Sequence, residues 1–286
     1  MDSILYLDSK VYNNANSIPE KLQKMSHKLL NETVLYINGE KSRICEIEYY
    51  LKNSDHNDPF VHGDKDQGTP LRWYFHKMGK NYKAGTYKGL DLTFGYKNKG
   101  KDFVSYGGIL IRSIKPENKD LIEGPCKVVN YILSKNGYSE DIEGFVSYAN
   151  KEDGVKSDQT LNALKCSKLY CSYEPDKFED KEICYGPRVG LTLKKKGPGR
   201  NEYLMADYRH LIYSDKIKKY KNTIAVNLVQ KGIKSESVQK RVSVSKKNLD
   251  NYLQLFKDGK TKTYDEFYGV TLKSKDLLNL YGLSKK

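Results

Sequence analysis

The residues best suited to chemistry stand on one stretch, Arg43-Ile44-Cys45-Glu46-Ile47-Glu48-Tyr49-Tyr50, with His62 twelve residues beyond it. The alternation has a period of two and reads as a β-strand. Cys45, Ile47, Tyr49 and Leu51 make an apolar core face. Ile44, Glu46, Glu48 and Tyr50 share the other. Carboxylates two residues apart on a strand lie roughly 7 Å from each other on one face. If that face is partly covered, desolvation and mutual repulsion raise at least one pKa, as acid–base catalysis needs. The alternative is a half-buried strand whose polar face is solvated.

Other side chains compete for attention. An imidazole such as His62 can stack on a base or hold a sugar phosphate, or simply sit in a polar loop. His56, with Asp55, Asp58 and His62, could form a metal cluster, although loop groupings of Asp and His are mostly solvated. Arg112 lies between Leu110 and Ile114 on an apolar strand, and a buried Arg must be paired. Its partner is an active-site carboxylate or a phosphate, unless it snorkels at a strand end. Gly124-Pro125-Cys126-Lys127 places free N–H groups and a lysine at a helix start, which is an anion site by geometry and also an ordinary cap.

The elements that would position these groups can be read coarsely. Ser17-Ile18-Pro19-Glu20 is a capping-box start, and Leu22, Met25, Leu29 and Leu30 make an apolar helix face to about residue 30. Strands follow at 34–38 and 43–50 around Gly39-Glu40, then at 72–75, 85–94 and 104–114. A helix starts at Gly124-Pro125 and runs to about 135. Residues 150–187 read as loop-rich, 188–193 and 203–213 as a hairpin across Gly197-Pro198-Gly199, and 223–229 as a strand. Helices are expected at 248–256 and 274–281. The sum is an α+β fold with a mostly antiparallel sheet.

Composition narrows the class. The chain has 286 residues, 38 % hydrophobic and 30 % charged, enough for a full core in a soluble protein. No apolar run reaches the length of a membrane span, and residues 1–8 lack the pattern of a signal peptide. The five cysteines read as reduced intracellular thiols, since Cys166, Cys171 and Cys184 make a poor zinc pattern. The net charge is +14. Residues 1–186 hold 27 Lys+Arg and 27 Asp+Glu, whereas residues 187–286 hold 23 and 9. A polyanion partner explains such an excess, because each phosphate contact releases counterions. Lys216, Lys218, Lys219 and Lys221 are its densest cluster. Many of the 24 tyrosines adjoin lysines, as in Lys219-Tyr220-Lys221. That suits base stacking beside backbone contacts; codon usage in an AT-rich genome would produce it too.

Glu46-Ile47-Glu48-Tyr49-Tyr50 resembles the Glu-x-Glu-x-Tyr strand of the alkyladenine (3-methyladenine, methylpurine) DNA glycosylases. His62 with Thr69-Pro70 is similar to the family's His-to-Thr-Pro spacing, and Gly85-Thr86 to the Gly-Thr that opens its next strand. Ile109-Leu110-Ile111-Arg112 with Lys115-Pro116, Gly124-Pro125-Cys126-Lys127 and Arg188-Val189-Gly190 resemble three further motifs in the same order. The six pieces span about residues 30 to 215. The resemblance implies a curved antiparallel sheet flanked by helices in a catalytic domain over 1–215, with 216–286 a basic extension packed on or beside it. It implies that Glu48 activates the attacking water, with Glu46 the runner-up, and that Tyr50 and His62 line the site of a flipped base. Lys127 and Arg188 carry over as DNA contacts, and Arg112 as a substrate contact.

The chain departs from the family between the Glu-x-Glu-x-Tyr strand and His62, which has three extra residues. It departs again at 87–95. There the family supplies a stacking Tyr and a wedge Tyr; here Tyr87 and Phe94 are the only aromatics near those places. Asp91 suggests reading a base by hydrogen bonds. The expected function is a monofunctional DNA glycosylase with no metal or organic cofactor, acting on double-stranded DNA with a modified base. It is expected to be a monomer, intracellular, and nuclear or nucleoid-associated. Three other readings stand beside it: excision of a bulky modified pyrimidine from foreign DNA, a catalytically lapsed binding protein of the same fold, and a metal nuclease using Glu46, Glu48 and the 55–58 loop.

Overall fold

A computed structural model describes residues 18–97, 104–154 and 160–286. The expected cap Ser17 and the segment 1–8 lie outside them. The chain forms two compact units: one holds residues up to Asn57 and Val61–Lys181, the other Asp58–Phe60 and Glu182–Lys286. Residues 182–215 therefore group with the basic C-terminal segment. The whole is mixed α+β, and the ladders of both units are antiparallel.

The first unit begins with α1 (Ile18–Asn31). Its main strands are β1 (Thr33–Ile37), β2 (Glu40–Lys52), β3 (Arg72–Phe75), β6 (Leu90–Thr93), β8 (Val104–Pro116), β10 (Leu161–Asn162) and β11 (Leu169–Tyr173). They form a sheet in the order β10-β3-β6-β8-β2-β1-β11. A separate ladder joins β4 (Lys77–Met78) to β5 (Asn81–Tyr82); β7 (Tyr96–Lys97) and β9 (Ile122–Glu123) pair with β8. The sheet is nearly closed. The Trp73 indole N–H on β3 donates to the Leu169 carbonyl on β11 at 2.8 Å, and the Cys171 N–H to the Ala163 carbonyl at 2.9 Å. Two helices belong here, α2 (Pro125–Lys135) and α3 (Ile142–Glu152), the second unread in the sequence.

β2 fixes the geometry of the site. Its core face is as expected: Cys45, Ile47, Tyr49 and Leu51 are buried. The Tyr49 hydroxyl lies 2.8 Å from the Ser26 hydroxyl and donates to the Leu22 carbonyl at 3.1 Å, tying that face to α1. The opposite face is not solvated, because Glu46 and Glu48 are wholly buried too.

The second unit corrects several expectations. Residues 188–213 form no hairpin. Gly199, at φ +71°, starts the short helix α4 (Arg200–Leu204), and β13 (Arg209–Leu211) pairs with β12 (Cys184–Gly186). Residues 223–229 lie in helix α5 (Lys221–Gln230) rather than a strand. This helix is buried from Asn222 to Leu228 without a break, so it shows no amphipathic period, and a short apolar run does not distinguish helix from strand. α6 (Ser235–Val242), α7 (Lys246–Gly259) and α8 (Ser274–Ser284) complete the unit. Phe256, Phe267, Leu278 and Tyr281 are part of its core.

The second unit carries a titration signature. Burial drives the His210 imidazole down to about 3, although its ring N–H donates to the Asp207 carbonyl at 3.1 Å. An unfolded chain holds His near 6.5, so the unfolded state takes up the proton first. The stabilisation is complete above about 6.5 and disappears as pH falls toward about 3. Denaturant titrations across that window are expected to show stability falling with pH, with a shallower slope for His210→Gln. Equal slopes would refute the assignment.

Candidate active site

Glu46, Glu48, Tyr50 and Arg112 meet on the inner polar face of the sheet. The Arg112 Nε donates to Glu46 Oε1 at 3.0 Å and lies 3.3 Å from Glu48 Oε1. Ser113 Oγ donates to the other oxygen of Glu46, and the Tyr50 hydroxyl donates to Glu48 Oε2 at 2.9 Å. Two irregularities make this possible. Ile44 pairs with Ile114, Glu46 with Ser113, and Ile47 with Ile111, leaving Cys45 and Arg112 as extra residues outside the ladder. Such bulges re-aim side chains and cluster near functional sites. Here they let one guanidinium serve two carboxylates. Burial works against the charged Arg112, but Glu48 and then Glu46 more than compensate and hold its pKa above the ordinary value. Two buried carboxylates thus share one guanidinium.

A second cluster shares this face. Asp91 on β6 pairs with Leu110 on β8, which pairs with Glu48 on β2, so all three point the same way. Glu48 and Asp91 are thus two strands, roughly 10 Å, apart. Leu110 lies between them, and two positions along β8 is Gly108, opposite Tyr50 on β2 and Thr93 on β6 and without a side chain. A Cβ there would stand 2.5 Å from Asp91 Oδ2 and 3.0 Å from Gln67 Nε2. The Asp91 carboxylate therefore lies over β8 only because residue 108 is glycine. His76 Nε2 sits 2.7 Å from Asp91 Oδ1, and Gln67 Nε2 donates to Oδ2 at 3.3 Å. His62 packs edge-on against His76, ring centroids 4.8 Å apart, and Lys83 Nζ donates to His62 Nε2 at 3.2 Å. Desolvation, then the charges of His76 and Lys83, pull the His62 imidazole down to about 4, so it is a neutral acceptor near pH 7.

No protein-family model matches the chain. Over 230 residues it is 32 % identical to "Uncharacterized protein L759" of Acanthamoeba polyphaga mimivirus, an alignment covering 77 % of this chain and 98 % of that protein. The chain belongs to the family of that protein.

In this member of the family the remaining candidates are dispersed. Phe94 is no contact for a base: it is buried in the core, edge-on to Tyr49 at 6.1 Å. Tyr87 is 78 % exposed on the turn Gly85–Tyr87. The thiol of Cys126 donates to the Gly85 carbonyl at 3.0 Å and Lys88 Nζ to Asn130 at 2.7 Å, so α2 holds this turn from both ends. Lys127 stands exposed in the first turn of α2. In the second unit Arg188 is buried against Asp58 at 2.6 Å and donates to the Tyr203 carbonyl at 3.1 Å. It is a structural arginine, not a phosphate contact. Lys216, Lys218 and Lys219 are exposed, and Lys221 donates to the Asp215 carbonyl at 2.9 Å. Tyr220 is partly buried: it packs on the core and accepts the Gly190 N–H at 3.2 Å.

Among the described residues, no three His, Cys, Asp or Glu side chains are grouped to hold a metal ion. The 55–58 loop spends its groups otherwise: Asp58 on Arg188, and His56 Nδ1 on the Leu51 carbonyl at 2.8 Å. All five cysteines are free thiols. No helix among the described residues is long and apolar enough to cross a membrane. The sequence reading missed His76, Gln67, Lys83, Ser113 and Tyr74, whose ring lies 6.3 Å from His62 and 5.9 Å from His76. Tyr74 lies on the expected strand at 72–75 and His76 directly after it in the same alternation, a signal that was present.

Proposed function

We propose that the chain is a DNA glycosylase in which Glu48 positions and deprotonates the water that attacks C1′ of a flipped nucleotide. The observation that carries this reading is the buried Glu48 carboxylate, fixed by the Tyr50 hydroxyl and the Arg112 guanidinium on one sheet face. N-glycosidic cleavage passes through an oxocarbenium-like state that needs a carboxylate on one side of the sugar. The water oxygen bonds to C1′, its proton passes to Glu48, and the C1′–N pair leaves with the base, which takes a proton from solvent. A carboxylate held beside the sugar favours the positive charge that develops on it. Tyr87, exposed and anchored by α2, is suited to fill the gap in the duplex, as apolar and aromatic wedges do.

The test is incubation with duplexes carrying a panel of modified bases, read by mass spectrometry. The expected product is free base with the strand intact until alkali treatment, and no adduct trapped by borohydride. Strand scission without free base would replace this reading with a nuclease.

The basic C-terminal segment supports duplex DNA as partner, and its prediction is separable. A Lys216/Lys218/Lys219/Lys221→Ala variant is expected to lower the slope of log affinity against log salt by about 0.9 for each phosphate interaction removed. Affinity should fall about equally on all sequences, because phosphate contacts carry no sequence information. An unchanged slope would make these lysines a solvated face.

A further inference from the structure

We propose that Asp91 selects the base, and that the substrate class is bases offering an exocyclic amino N–H over their oxo counterparts. This rests on the glycosylase reading for the place of the base.

The argument is one of hydrogen-bond capacity. An ionised carboxylate only accepts, and has about four lone-pair sites. Among the described residues, His76 Nε2 lies at Oδ1 and the Gln67 amide N–H donates to Oδ2. The group thus keeps acceptor capacity while its orientation is fixed from two sides. Gln67 is itself fixed, since its Oε1 accepts the N–H groups of Gly63 at 3.0 Å and Asp64 at 3.3 Å. Its amide therefore presents N–H to Asp91, not oxygen. The side chain of Asp91 is 3 % exposed, and that of His76 is 14 % exposed. A buried acceptor left unmatched costs free energy, so a ligand that brings only a carbonyl there is penalised by lone-pair repulsion and by desolvation. The missing Cβ at Gly108 turns this acceptor toward β8, across which stand Tyr50 and Glu48. One edge of the sheet face then reads the base while the other holds the water at the sugar.

Two matched duplex pairs test this: 5-hydroxymethylcytosine against 5-hydroxymethyluracil, and 7-methyladenine against 7-methylhypoxanthine. Single-turnover release and fluorescence-anisotropy affinity are measured side by side. In at least one pair the amino member is expected to be favoured about 10-fold or more, as sites built around one hydrogen bond discriminate. Asp91→Asn, whose carboxamide can donate to a carbonyl, should erase or reverse the preference with an unchanged melting transition. His76→Gln, which frees Oδ1 to turn, should weaken it in the same direction. Equal handling of both members in both pairs overturns the proposal, as does an amino preference that survives Asp91→Asn. Amino-selective affinity without base release would remove the glycosylase reading and keep the Asp91 assignment. Release without selectivity would do the reverse.

Discussion

Glu48→Gln is expected to reduce base release by about 10²–10⁴-fold while leaving DNA affinity within a few-fold, the usual cost of losing a general base. The amide is isosteric and still accepts from the Tyr50 hydroxyl, so the substitution removes the negative charge, the proton acceptor and the ion pair to Arg112, which keeps Glu46. Glu46→Gln separates roles. Glu46 accepts from Arg112 Nε and Ser113 Oγ, which ties it to the guanidinium, whereas Glu48 accepts from the pocket residue Tyr50. Loss of Glu46 should loosen Arg112 and lower activity less than the loss of Glu48. A dead Glu46→Gln beside a fully active Glu48→Gln would move the base by one strand repeat. Full activity in both would end the glycosylase reading.

Asp58→Ala is expected to cost about 3–5 kcal/mol of stability, because removing one partner of a buried ion pair leaves an uncompensated charge. Arg188 would keep the Tyr203 carbonyl, with the rings of Phe60 and Tyr208 at 5.5 and 5.4 Å from its guanidinium carbon. Those rings soften the loss without neutralising it. Replacing the pair together, Asp58→Leu with Arg188→Met, should recover most of the stability, since apolar replacement of a buried pair is often neutral or better. Urea denaturation of the two variants beside the unaltered protein decides it. A single-variant loss under about 1 kcal/mol would mean that the pair is hydrated in solution. The salt slope of DNA binding should not change in the double variant, because Arg188 faces no solvent.

The parts of the site legible in the sequence are those written along one strand. The period of two on β2 separated Tyr49 from Glu48, and the apolar run around Arg112 demanded a partner for it. What the sequence hid was register. Nothing in residues 44–47 or 111–114 announces that Cys45 and Arg112 drop out of the ladder, yet that slip lets Arg112 reach both carboxylates. The Asp91–His76–Gln67 cluster needs three chain segments brought together and a bare Gly108 beneath, none of which is local in sequence. Helices failed where periodicity failed: α5 is buried all round and α6 is short. Phe94 was misplaced for a related reason. Its parity on β6 matches Leu90 and Leu92, which face the core, not Asp91.

Asp58–Phe60 compacts with residues 182–286 although it is encoded among residues of the first unit. The basic unit is therefore not a cassette. A recombination event at residue 182 would transplant a hundred residues and leave behind Asp58, the carboxylate that pairs with buried Arg188. Grafting this segment onto another protein, or trimming it away, should fail unless the three-residue loop travels too. The two units are in that sense a single heritable object, and lineages are expected to gain or lose them together.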